Sequence, residues 1–391
     1  MIPKTLLFFI LLVSQLSFSQ HITYSDSVEI SVLTCGPGEE LYSTFGHSAF
    51  RVKDDYNHLD VVYNYGMFDF NAPNFYTNFA KGKLIYKLGR NRFSNFYETY
   101  YSENRAVSEQ VLNLSTLQKR KLTAFLEHNA QPENASYKYD FFYNNCATKI
   151  RSVLEDVFPN QIVFKDDHIT TAYTMRQLIN NNVPYNTWGS VGINIALGSV
   201  IDVKATTNEY QFLPEYIYKA FNNASINNNP LIKDSSILLK KNTSRAHTSN
   251  LILSPLFIFL VASFLILYIT YKDYKNKKRT KALDFILLFT SGLLGVLVLL
   301  LWLATDHNTT ANNLNVLWAF APNLFVAFFI LRKTTLKLKW FGDYFALLAS
   351  LLALQAALWS FKVEEFSLTM TPLFASLLIR YCYLNYYFKN N

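Results

Sequence analysis

Apolar and polar positions change rhythm once along the chain. Up to about residue 250 the apolar residues come in short alternating or helix-spaced groups; beyond it they form runs of roughly 18 or more, the length that crosses a bilayer's hydrocarbon core. Val28, Ile30 and Val32 alternate as in a half-buried strand, and the chain then turns through Gly36, Pro37 and Gly38. Two further strands are predicted, Gly46 to Val52 and Leu59 to Gly66, around the polar hexapeptide Lys53 to His58, with another at Leu84 to Leu88. Symmetric closure of that hairpin sets Val52 opposite Leu59 and His47 opposite Asn64, on one face with Cβ atoms roughly 4.5 to 5.5 Å apart. A one-residue slip would send the two to opposite faces. Ser115 followed by Gln118 predicts a capped helix through Leu122, Phe125 and Leu126. A second helix is predicted from the stripe Ile150, Val153, Leu154 and Val157, capped by Asn144 or Asn145.

The long apolar runs predict about five spanning segments: Leu251 to Tyr271, Leu283 to Leu303, Leu314 to Leu331, Tyr344 to Phe361 and Leu368 to Phe388. Lys272, Lys275, Lys277, Lys278, Arg279 and Lys281 follow the first, and Arg332, Lys333, Lys337 and Lys339 follow the third, which makes those two loops cytoplasmic. The opposite loops hold Asp306 and His307, or Lys362, Glu364 and Glu365, and are expected outside. Lys4, the apolar stretch Leu6 to Val13 and the small residues Ser17 and Ser19 form a secretory signal over residues 1–19; a retained anchor helix is the alternative. Either places the head, residues 20–220, outside the cytoplasm, with residues 221–250 as an Asn-, Ser- and Lys-rich tether and residues 251–388 in the membrane. The fold class is therefore α+β for the head, followed by an all-α membrane domain.

Composition narrows the chemistry. Of 391 residues half are hydrophobic and three are cysteines, which excludes a disordered chain and a disulfide scaffold. The net charge of +8 resides largely in the short loops between apolar runs, so nucleic acid is not expected as a partner. The seven histidines lack paired metal-ligand spacing, and no Gly-x-Ser-x-Gly elbow or phosphate-binding glycine loop is present, so neither metal nor cofactor is expected. What remains is Cys146, placed by Asp140-Phe-Phe-Tyr-Asn-Asn-Cys in the first turn of its helix, where exposed N–H groups and the dipole favour a thiolate. A cysteine nucleophile needs a base and a group to orient it; His47 is the candidate base and Asn64 the orienter. Asn145 and Tyr63 are candidates for the oxyanion or substrate beside the Cys146 N–H, and Asp306 and His307 for a membrane-loop interface. A competing reading pairs Cys35 with Cys146 as a disulfide, which leaves no nucleophile.

Thr34-Cys-Gly-Pro-Gly-Glu-Glu-Leu-Tyr-Ser-Thr-Phe-Gly-His47-Ser-Ala-Phe-Arg-Val, Tyr63-Asn-Tyr-Gly-Met-Phe-Asp-Phe70 and Tyr143-Asn-Asn-Cys146 together resemble the Lnb-type lipoprotein N-acyltransferases. The resemblance continues through Trp188, Gly192-Ile-Asn, Leu197-Gly198, Asp202 and Phe212-Leu-Pro214 to Thr305-Asp-His307 and Asn313-Leu-Asn315. It implies a permuted papain-like (NlpC/P60-like) cysteine-hydrolase head with His47 preceding Cys146, joined to five membrane helices. The implied reaction moves an acyl chain from the diacylglyceryl group of a lipoprotein to its N-terminal cysteine amine, through a thioester on Cys146. The implied partners are diacylated lipoproteins and membrane lipid, and the implied location is the cytoplasmic membrane with the head on the periplasmic side. A cysteine peptidase or amidase acting on envelope peptide, and a non-catalytic envelope assembly protein, are the rival readings.

Overall fold

The computed structural model describes residues 24–242, 251–332 and 340–390; the signal segment lies outside them. In the head, strands β1 (Glu29–Cys35), β2 (His47–Asp54) and β3 (Leu59–Met67) precede a six-residue helix α1 (Phe75–Ala80). Strand β4 (Ile85–Arg92), helix α2 (Phe93–Ser102), strand β5 (Val107–Leu112) and helix α3 (Thr116–Asn129) follow, then strand β6 (Ser136–Lys138) and helix α4 (Cys146–Val157). The hairpin forms two residues out of the expected register: Asp54 lies opposite Leu59 and Val52 opposite Val61. Asp54, a polar residue that reads as loop, extends the strand because its fully buried carboxylate accepts bonds from the Ser25 N–H, the Ser25 hydroxyl and the Asn57 amide, at 2.7, 2.6 and 2.8 Å. A shift of two preserves which face each residue occupies.

One face of the sheet packs Ile30, Val32, Phe50, Val52, Tyr63 and Tyr65 against Leu122 and Leu126 of α3 and Ile150, Val153 and Leu154 of α4, the stripes expected from the sequence. Ser115 and Gln118 form the anticipated capping box. The other face packs Leu33, Cys35, Ala49 and Val62 against Phe96 and Tyr100 of α2. Four further helices complete the head: α5 (Met175–Asn182), α6 (Trp188–Ala196), α7 (Thr207–Tyr210) and α8 (Pro214–Asn222). A small sheet joins β7 (Ile162–Val163), β8 (Ser225–Ile226) and β9 (Asn229–Pro230), and β10 (Ile232–Leu239) closes the main sheet, whose strand order is β10-β5-β1-β2-β3-β4-β6. This corrects the expected tether over residues 221–250: its described part up to residue 242 is mostly folded, and its weak periodicity is that of an edge strand exposed along most of its length.

The helical domain contains α9 (Pro255–Lys275), α10 (Lys281–Leu303), α11 (Asn323–Ile330), α12 (Trp340–Ser360) and α13 (Thr371–Asn390). Among the described residues α9, α10 and α12 are long and apolar enough to cross a membrane. The expected span Leu314 to Leu331 is instead a 3-10 turn at Leu314–Leu317 followed by the eight-residue α11. Pro322 interrupts it, and Asn313, Asn315 and Asn323 are buried polar residues that spend their amides on tertiary bonds. Irregular backbone at membrane depth is tolerated where protein buries it. The last expected span forms α13, long enough but carrying the buried Arg380, which pairs with Asp273 and Asp284.

The head seats on one end of this domain through α6, whose Val191 joins the helical core. The last carbonyls of α6, orphaned as at any helix C-terminus, are taken by side chains of the broken segment: Asn313 Nδ2 bonds Ile195 O and Ala196 O at 2.8 and 3.1 Å, and Asn315 Nδ2 bonds Asn194 O at 3.0 Å. Arg176, fully buried, fixes the same corner through Asp202 and the carbonyls of Leu197 and Gly198. At the opposite end of the helices, Arg279 Nη2 and Lys281 Nζ donate to the carbonyls of Ile330 and Leu331.

Candidate active site

Asn145 caps α4. Its Oδ1 accepts from the N–H groups of Ala147 and Thr148 at 2.8 and 2.9 Å, and its Nδ2 donates to Phe141 O and Phe212 O. Every polar atom of that side chain is thereby committed, so Asn145 positions the nucleophile's helix and has no amide left for an oxyanion. Cys146 is the first residue of the helix, and its own N–H stays outside the cap. Its thiol is half-buried, as are His47 and Asn64.

The imidazole comes from the first residue of β2 and the carboxamide from β3. His47 Nε2 meets Asn64 Oδ1 at 2.6 Å. In the observed register the two are diagonal neighbours, not directly opposite, still within reach on a shared face. Asn64 holds Nε2, which leaves Nδ1 for the Cys146 thiol. Burial opposes charge on both groups. It is outweighed at Cys146 by the His47 charge, a hydrogen bond from His47 and the N–H groups of Ser48 and Ala147, so the thiol is shifted down. At His47 it is outweighed by the Cys146 charge and by hydrogen bonds to Cys146 and Asn64, so the imidazole is shifted up. Opposite shifts in a contacting pair favour a thiolate beside an imidazolium.

The start of α4 meets the sheet at Gly66. The pairing of β3 with β4 breaks between Asn64 and Met67, and Gly66 adopts φ +90° in that break. A Cβ there would lie 3.5 Å from Cys146 Cβ and 3.9 Å from the Tyr137 hydroxyl. That hydroxyl, which sequence reasoning missed, is buried with no hydrogen-bond partner among the described residues. Burial, reinforced by the Cys146 charge, drives its pKa far upward, so it stays a proton donor. A hydroxyl at strand β6, nine residues before the cysteine, carries no motif by which it could be found.

The other expectations separate. Tyr63 is fully buried in the core beneath α4, and its hydroxyl is committed to Glu127 Oε1 at 2.6 Å and to the Tyr24 hydroxyl at 2.9 Å. Cys35 lies opposite His47 in the strand pairing, but Cys35 and Cys146 are both free thiols, and burial pushes Cys35 up to about 12. Asp306 and His307 do reach the head: Asp306 N–H donates to Lys81 O at 2.9 Å, its carboxylate pairs with Lys138 at 3.2 Å, and His307 Nε2 bonds Phe79 O at 2.8 Å. Gly82 makes room for them, since a Cβ there would stand 3.0 Å from His307 N.

A nucleophilic thiolate, a protonated ring fixed by a carboxamide, and spare N–H and O–H donors can together perform acyl transfer through a thioester. Comparison with curated proteins and with solved structures gave no match. Family comparison did: residues 15–182 match the Lnb N-terminal periplasmic domain and residues 246–391 the Lnb transmembrane domain. The two matches cover most of the chain, which belongs to the Lnb family, a family of membrane proteins with a periplasmic head.

Proposed function

We propose that the protein is a cysteine-dependent lipoprotein N-acyltransferase of the cytoplasmic membrane, with a permuted papain-like head on the outer side. The observation that carries this reading is the Cys146–His47–Asn64 contact in a head docked on membrane helices. Cys146 Sγ attacks the ester carbonyl of the diacylglyceryl donor. The Cys146 N–H and the Tyr137 hydroxyl donate to the resulting oxyanion. Its collapse breaks the C–O bond, and the leaving glyceryl oxygen takes the proton from His47. The α-amine of the lipoprotein's N-terminal cysteine then attacks the thioester, passes a proton to His47 and restores the thiolate. The products are an amide-linked acyl chain and a lyso-glyceryl group.

The membrane domain has a physical rationale. Each acyl CH2 drawn out of lipid costs roughly 0.8 kcal/mol, so the catalyst must work at the bilayer surface. Arg279 and Lys281, basic residues at the end of the bundle far from the head, support the orientation. The test is expression in cells lacking other lipoprotein N-acylation, with mass spectrometry of a reporter lipoprotein's N-terminus. The N-acylated lyso form is expected with the native chain and its absence with Cys146→Ser; equal acylation by both rejects the assignment. Lipid-independent cleavage of envelope peptide would instead establish an amidase.

A further inference from the structure

The helix α1 is anomalous for a folded head: none of its six residues is buried, yet three of them are aromatic. Tyr76 and Phe79 are 73% and 54% exposed. From them runs a strip of aromatics in which Phe75 and Phe68 are half-buried and Phe70 and Tyr42 exposed. Phe79 faces the His307 ring at 6.5 Å and stacks on Phe75, which stacks in turn on Phe68 at 5.9 Å. Phe68 packs edge-on to Phe70 at 4.7 Å, and Tyr42 closes on both at 6.1 Å. Phe68 lies two residues past Gly66, where an added Cβ would stand 3.5 Å from Cys146 Cβ. At its other end the strip reaches the loop that leaves the apolar helix α10 at Leu303. An apolar surface of this extent on a water-facing head is unfavourable unless something apolar covers it.

We infer that this aromatic strip, from Phe79 through Phe75 to Phe68 and Phe70, is the binding path for one acyl chain of a diacylglyceryl ligand, leading it from the bilayer beside His307 to the Cys146 thiol. The inference rests on the acyl-transfer reading above and adds the route to it. Its occupant follows from the two ends: one is a group able to attack an ester, the other the established contact between head and membrane domain. A flexible hydrocarbon is the apolar ligand that spans both. Aromatic faces suit it because they give large contact area at little cost in side-chain entropy.

The test uses the full-length Cys146→Ser protein in lipid nanodiscs with two photoreactive diacylglycerols, one with a diazirine near the ester carbonyl and one with it at the chain end. The near-ester probe is expected to label residues 67–70, and the chain-end probe residues 75–79. Phe75→Ser with Phe79→Ser is expected to lower chain-end labelling about fivefold, since both rings would cover the hydrocarbon. Equal labelling of both segments by both probes would show bare bilayer contact and overturn the path, as would labelling confined to α9–α13. This arm needs no turnover, so it stands if the acyl-transfer reading fails. In a Cys146-intact background, capture of a long acyl chain relative to acetyl is expected to fall about tenfold in the double variant. Alkylation of Cys146 by iodoacetamide reports that the site is intact, and an unchanged ratio would also overturn the path.

Discussion

At the residue scale, chemistry is concentrated in one proton position. The lowered thiol and raised imidazole predict a bell-shaped pH profile: the acid limb marks protonation of Cys146, below the ordinary thiol range, and the alkaline limb marks loss of the His47 proton, above about 6.5. The acyl-transfer rate followed against pH checks both limbs, and iodoacetamide labelling of Cys146 checks the acid limb alone. His47→Ala removes the charge that outweighs burial, so the labelling midpoint moves up and acyl transfer falls roughly 10²–10⁴-fold. Tyr137→Phe is expected to lower the transfer rate by about 10²-fold with labelling kinetics unchanged, because the hydroxyl acts on the oxyanion and not on the resting thiolate. The cysteine and its partners were legible as residue types. The tyrosine was not, because its significance lies in an empty hydrogen-bonding position that only the packed chain creates.

At the element scale, Asn145 shows how a short polar residue sets the geometry of a helix. Asn145→Ala unsatisfies two helix N–H groups and the carbonyls of Phe141 and Phe212, and is expected to cost about 1–3 kcal/mol. Thermal unfolding in detergent and a higher Cys146 labelling pH measure both consequences, and Asn145→Asp, which keeps the capping oxygen, is milder on each. Strand parity was legible from alternation, and with it the meeting of His47 and Asn64. Register was not, since whether Asp54 ends a strand or extends it depends on Ser25, twenty-nine residues away in sequence. The broken segment around Pro322 escaped for a related reason. Its apolar content reads as a span, whereas its asparagines are fitted to α6, a partner outside any local window.

At the scale of the whole molecule, the seam between head and helices contains an unusual acid. Glu364 accepts from the Leu314 N–H at 2.9 Å and from Asn315 Nδ2 at 3.1 Å, and burial pushes it up to about 7. A carboxyl raised above its unfolded value binds its proton more readily when folded, so stability falls as pH rises between the unfolded value near 4.3 and about 7. Protection of the α6 amides, taken relative to the intrinsic exchange rate at each pH, is therefore expected to be greater at pH 5 than at pH 8, and Glu364→Gln removes that difference. The division into head and membrane domain was plain from hydropathy. The firmness of their union was not, because it is built from single asparagines and an acid that look like ordinary loop residues.

The placement of β10 helps to hold the head close to the helices. The chain is paired into the sheet as far as Leu239, the Asn242 N–H donates to Asn104 Oδ1 at 2.7 Å, and the Trp188 indole of the head donates to Leu253 O at 3.0 Å, just before α9 begins. The connection is thus fastened on both sides, so anything the head binds has to come to this end of the bundle.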